Sequence, residues 1–170
     1  MNYRKVTRDA VRTALSAAVT GFNAQLAAIA AAYSIVPYTI DWAAESRQTF
    51  QGYISPEQID VSQIVEYPAV VLYTSDAINE NFEKGHRFGG QVQAHMDWYL
   101  RFKTGIEVDD VESILDATED AALEAINDYS AWPANVIYNR QFQVSRDAIS
   151  LLGEGWEQRI AVQMLFHVFC

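Results

Sequence analysis

His95 and Asp97 stand two residues apart in a stretch of alternating apolar and polar residues. Both project from one strand face there, the spacing of a metal-ligand pair, and His86 lies upstream as a third candidate. No further ligand type occurs at a fixed spacing, so the simpler reading is a pair of exposed strand residues. His167 alternates with the apolar residues of the last segment and reads as a rim residue. Gly85–Gly90 (GHRFGG) is rich in glycine, but no helix start with a phosphate-binding Lys follows it, which leaves a flexible loop. No serine nucleophile elbow, P-loop, dinucleotide fingerprint or His-Glu-x-x-His occurs. The single cysteine, Cys170, excludes an internal disulfide framework and a cysteine-based zinc site, and reads as an unpaired thiol. No enzyme activity, cofactor or metal is expected.

Carboxylates are the one functional group in excess. Glu107–Asp128 carries nine of them with no Lys or Arg, and accounts for most of the formal net charge of −10. At about 100° per residue, Asp109, Glu112, Asp116, Glu119, Asp120, Glu124 and Asp128 crowd one side of a helix. Val111, Ile114, Leu115, Thr118, Ala122, Ala125, Ile126 and Tyr129 take the other, and only Leu123 sits among the acids. Paired carboxylates suit acid–base catalysis, but acids along a helix are usually a solvated face. The Asp-x-Asp-x-Asp-Gly calcium loop is missing. Such a face repels anions and attracts a basic partner, and that choice is the main functional clue.

Composition narrows the setting. Half the residues are hydrophobic and 12% aromatic, which describes a globular chain, and 170 residues fit one domain, 1–170. A pI near 4.6 argues against general nucleic-acid binding, which needs a dense Lys/Arg surface. Arg4, Lys5, Arg8 and Arg12 precede an uncharged stretch, 13–40, and together these imitate a signal peptide. Thr13, Ser16, Thr20, Gly21, Asn23 and Gln25 interrupt the apolar run, so a soluble helix is the reading and no membrane partner is expected.

The elements that must position these groups follow from periodicity. Val11, Leu15, Ala18, Val19, Phe22, Leu26, Ile29 and Tyr33 recur in steps of three and four, predicting one helix from about Thr7 to Tyr33, capped by Thr7 and ended by Pro37. Its outer surface is almost uncharged, the mark of a helix covered by its own chain or by a neighbouring subunit. A short strand is expected near Tyr38–Trp42 within an irregular excursion at about 38–66. Tyr67–Ser75 reads as a strand, and 76–90 as an exposed loop. Val92–Lys103 alternates without a break, a half-buried strand whose outer face is wet or lies against a partner. Asp109 or Asp110 caps the acidic helix, and Asp128 opposes the dipole at its end. Val136–Val144 and Trp156–Phe169 complete the set, with Gly153-Glu154-Gly155 as the turn. The expected class is α+β: a mostly antiparallel sheet of about four main strands with two principal helices on one face.

Charge is also divided along the chain. Four of the twelve basic residues lie in the first twelve positions, and nine of the twenty-two acids lie in one helix. Separate basic and acidic patches suit head-to-tail pairing of identical copies, which closes into a ring where the rotation allows.

The order of elements resembles the tail terminator (tail completion) proteins of tailed bacteriophages and the related neck proteins that join head to tail. The features that carry the likeness are the N-terminal amphipathic helix, Tyr67–Ser75, Val92–Lys103, the acidic helix, and the closing pair Phe142-Gln-Val144 and Trp156–Phe169 (WEQRIAVQMLFHVF) around Gly153-Glu-Gly155. They cover about 5–34 and 67–169; 38–66 and 76–90 have no counterpart. The resemblance implies a structural virion protein, assembled in the host cytoplasm, that forms a homo-oligomeric ring, commonly of six. That ring stacks on the tail tube protein and faces the head connector or head-completion protein, and DNA passes through without being specifically bound. Asp116, Glu119, Asp120 and Glu124 would then face the lumen or a basic patch on the next subunit, with Arg4, Lys5, Arg8 and Arg12 as that patch. Asn79, Asn81, Glu83, Lys84, His86 and Arg87 are candidates for contacting a neighbouring ring. The rival reading is a soluble adaptor whose acidic helix face captures a basic protein.

Overall fold

Alternation along Val92–Lys103 becomes the strand that organises the molecule. In a computed structural model, which describes residues 2–52, 65–80, 89–103, 105–152 and 155–169, this strand is β3, Gly89–Lys103. It is preceded by helices α1 (Tyr3–Leu15) and α2 (Phe22–Ile29) and by strands β1 (Thr49–Gln51) and β2 (Ala69–Glu80). After it come α3 (Val108–Asn127), β4 (Val136–Leu152) and β5 (Gly155–Phe169). The sheet order is β1-β2-β3-β5-β4. All pairs are antiparallel except β1 with β2, which runs parallel from Thr49↔Val70 to Gln51↔Leu72. The class is α+β; among the described residues there is a mixed sheet of five strands where a mostly antiparallel one of about four main strands is expected, and there are three helices where two principal ones are expected.

One face of the sheet carries the main core. Val92, Ala94, Met96, Trp98, Leu100 and Phe102 of β3 and Ile160, Val162, Met164, Phe166 and Val168 of β5 are buried there. Period-two spacing puts each set on one side of its strand. Ala10, Val11, Ala14 and Leu15 of α1 and Val111, Leu115, Ala122, Ala125 and Ile126 of α3 close over them. Phe22 packs against Trp98 with ring centroids 4.2 Å apart and the planes tilted by 32°.

The expected helix over Thr7–Tyr33 is two helices. Gly21 marks the break: a Cβ there would lie 2.3 Å from the Ala17 carbonyl oxygen and 2.5 Å from that of Leu15. The turn lets α1 pack on β2 and β3 while α2 packs along α3. Thr7 is no cap either. It lies buried inside α1, its hydroxyl donating to the Tyr3 carbonyl at 2.9 Å, and Asn2 caps the helix by accepting from the Lys5 N–H at 3.1 Å. The chain leaves helix well before Pro37, and Ser34 takes a positive φ of 56°.

No strand forms at Tyr38–Trp42. Asn23 replaces a strand neighbour, since its side-chain amide donates to the Ile40 carbonyl at 2.9 Å and accepts the Ile40 N–H at 2.8 Å. Ile40 is thereby buried with its backbone satisfied. Strand pairing also extends into the expected 76–90 loop, from Ala77↔Val92 to Glu80↔Gly89. β4 runs past its expected end at Val144 to Leu152, with register shifts between Tyr138 and Phe142 and between Ala148 and Ser150. The acidic helix starts after Glu107 with no side-chain cap, and Asp109 and Asp110 fall in its first turn, where they favour the dipole without capping. Among the described residues no helix is long and apolar enough to cross a membrane.

The other face of β3 is not simply wet. Asp97 and Tyr99 are buried there, and Tyr99 joins Val65, Ala69 and Val71 in a second, smaller core.

Candidate assembly surface

The acidic face of α3 forms as the wheel predicts, because the same helix must bury Val111, Leu115, Ala122, Ala125 and Ile126 beneath it. What the wheel cannot show is a cation from the far end of the chain. Arg146 sits on β4 opposite Ile160, on the helix-covered side of the sheet, and reaches up to α3. Its Nη2 lies 2.7 Å from Asp116 Oδ1 and 2.7 Å from Glu119 Oε2, its Nε 3.1 Å from the same Glu119 oxygen, and its Nη1 3.3 Å from Glu112 Oε2. One guanidinium therefore holds three carboxylates and leaves the group net negative.

Asp116 and Glu119 are thus joined within the chain. Asp120 accepts a hydrogen bond from the Tyr33 hydroxyl, and that bond, aided by burial, pushes the Tyr33 phenol up to about 12. Glu124 is exposed on the same helix. Asp128 lies just past the helix end, and its carboxylate takes an amide proton of Gln25 at 3.2 Å.

The basic residues of α1 are not one free patch. Lys5 pairs with Asp9 one turn on, and Arg12 donates to the Trp42 carbonyl at 2.6 Å, tying α1 to the chain beyond α2. Arg8 is half-buried, and Arg4 is exposed. Two valines of the uncharged stretch, Val19 and Val36, are 84% and 90% exposed. Asn79 lies in β2 opposite Gly90. Asn81, Glu83, Lys84, His86 and Arg87, the rest of the expected inter-ring loop, lie outside the described residues.

The His95–Asp97 pair has other partners. His95 Nε2 lies 2.8 Å from Ser75 Oγ, and its ring stacks on Tyr73 at 4.6 Å, with the planes 1° apart. Asp97 takes the Tyr73 hydroxyl at 3.4 Å and faces Arg159 at 3.7 Å. Burial pushes the Asp97 carboxyl up to about 6, against the pull of Arg159 and Tyr73. Arg159 also binds Asp147 on the edge strand. Two residues along β5, Glu157 is fully buried and accepts from Arg101 Nε at 3.0 Å. Among the described residues no three His, Cys, Asp or Glu side chains are placed to hold a metal.

Sequence reading missed Arg146, Tyr33 and this ladder of ion pairs across the sheet. Its one available signal was that Arg159, Glu157, Asp97 and Arg101 fall on the polar register of two strands. No model of a known protein family matches the chain, and no curated protein matches it.

Proposed function

We propose that this chain is a structural subunit of a ring at the head–tail junction of a tailed phage, capping the tail tube and joining it to the head connector while DNA passes. The reading rests on the order of elements and is carried by one observation. The acidic face of α3 is only partly neutralised from within its own chain: Arg146 holds Glu112, Asp116 and Glu119, and Glu124 stays open to solvent. A net-negative surface repels a polyanion within about 8–10 Å at physiological salt, which suits a channel wall. It equally suits docking against a basic patch on the next copy, where Arg4 is available.

The free edge of the sheet adds support. β4 spans 17 residues, has no outer neighbour among the described residues, and exposes Ile137 and Phe142. Long apolar edges invite pairing with another chain. A second reading has a specific observation behind it too. The α3 face already receives a guanidinium, so a monomeric adaptor capturing a basic protein uses the same chemistry.

Charge reversal at Asp120 and Glu124 tests the proposal without disturbing Arg146. Lys at both positions is expected to reduce particle assembly or infectivity while the isolated chain stays folded. Unchanged particle yield and infectivity reject it. Native mass determination with tail tubes present separates ring from adaptor: a closed multimer on the tube supports the first, a single copy bound to a basic partner the second.

A further inference from the structure

A cavity of about 460 Å³ opens between the end of β3, the start of α3 and the chain ahead of β2. Leu100 and Phe102 lie buried at its floor, and the half-exposed Ile106 and Ile114 flank it. Alternation along β3 sends Arg101 and Lys103 to the opposite side of the strand from Phe102, so they reach the cavity from its rim. Among the described residues they are the only charged ones that line it, and both are cations. None of the nine acids of Glu107–Asp128 takes part, although the chain as a whole carries −10. Arg101 is held in place: its Nη2 donates to the Tyr67 hydroxyl at 2.7 Å, its guanidinium lies 3.6 Å over the Tyr67 ring, and buried Glu157 answers its charge. Lys103 is exposed and is the second basic residue of the lining.

We propose that this cavity binds a small amphipathic anion, a carboxylate on an aliphatic or single-ring aromatic body. Its volume falls within the roughly 300–1,000 Å³ of small-molecule sites, and an apolar wall with a few placed polar groups is their usual lining. The apolar body takes the place of water over Leu100, Phe102, Ile106 and Ile114, each buried methylene strengthening binding by roughly fourfold. The carboxylate meets Lys103. This site is separate from the α3 face and does not depend on the ring reading.

Titration of the purified chain with decanoate, decanol and decyltrimethylammonium, followed by calorimetry, tests it. Decanoate is expected to bind, and the cationic analogue to bind about tenfold more weakly. Lys103→Glu should weaken decanoate by about fivefold and leave decanol unchanged. Ile114→Trp, which fills the cavity, should weaken both, and Lys103→Glu keeps the test valid if that variant does not fold. No binding of decanoate, equal binding of the cationic analogue, or wild-type affinity in Lys103→Glu overturns the proposal.

Discussion

Arg146 Nη2 lies 2.7 Å from Asp116 Oδ1, joining the edge strand β4 to the acidic helix α3 across 30 residues of sequence. The Arg146 side chain is 32% exposed, and its guanidinium also holds Glu119 and Glu112, so it works against the repulsion among three neighbouring carboxylates. Arg146→Ala is expected to lower the unfolding free energy by about 1 kcal/mol, the upper range for partly exposed ion pairs. Denaturant unfolding at low salt measures it. The difference should shrink in about 1 M salt, where screening reaches about 3 Å; an undiminished loss there would mean that Arg146 acts through packing.

Asp97 makes stability depend on pH. Burial raises its carboxyl to about 6, above the ordinary 3.8 that it regains on unfolding. The folded state therefore binds the proton more tightly. The stabilisation is complete below about pH 4 and is lost as pH rises through about 6. The difference between about 6 folded and 3.8 unfolded corresponds to roughly 3 kcal/mol. Thermal melts between pH 4 and pH 7.5 should show the wild type losing more stability than Asp97→Asn. Parallel curves would show that Asp97 titrates as an ordinary surface carboxyl.

Gly21→Ala should cost more than about 2 kcal/mol, because the added Cβ meets backbone atoms that have no room to yield. Helix content by circular dichroism and chemical unfolding check it. A variant that gains helix and stability would mean that α1 and α2 fuse without penalty.

Phe22→Ala should cost about 3–5 kcal/mol, since the ring is fully buried and packed against Trp98. A changed tryptophan emission should accompany the loss, reporting the altered surroundings of the Trp98 indole. Unaltered emission together with unaltered stability would contradict the packing described.

Much of this architecture is written in local patterns. Val92–Phe102 and Ile160–Val168 alternate because a strand sends successive side chains to opposite faces, and the apolar face is as the period predicts, while the polar face of β3 also buries Asp97 and Tyr99. The two sides of α3 follow from 3.6 residues per turn in the same way. Boundaries were less legible. Thr7 is a good capping type, but nothing nearby announces that Asn2 takes the role and that Thr7 is buried. Ala17–Thr20 suit a continuing helix, and only the close approach of Gly21 to the Leu15 and Ala17 carbonyls reveals the turn.

By itself, then, the sequence determined the α+β class, the faces of the long strands and of α3, and the concentration of negative charge on one helix. These depend on periods of two and 3.6 and on composition, which are local. Tertiary structure alone decided that Asn23 takes the place of a strand beside Ile40, that β1 adds a parallel edge, and that Arg101 and Lys103 rim an apolar cavity. It also decided that Arg146 answers part of the acidic face. Each of these joins groups far apart along the chain, and which partner meets which is set by strand order and register once the sheet closes.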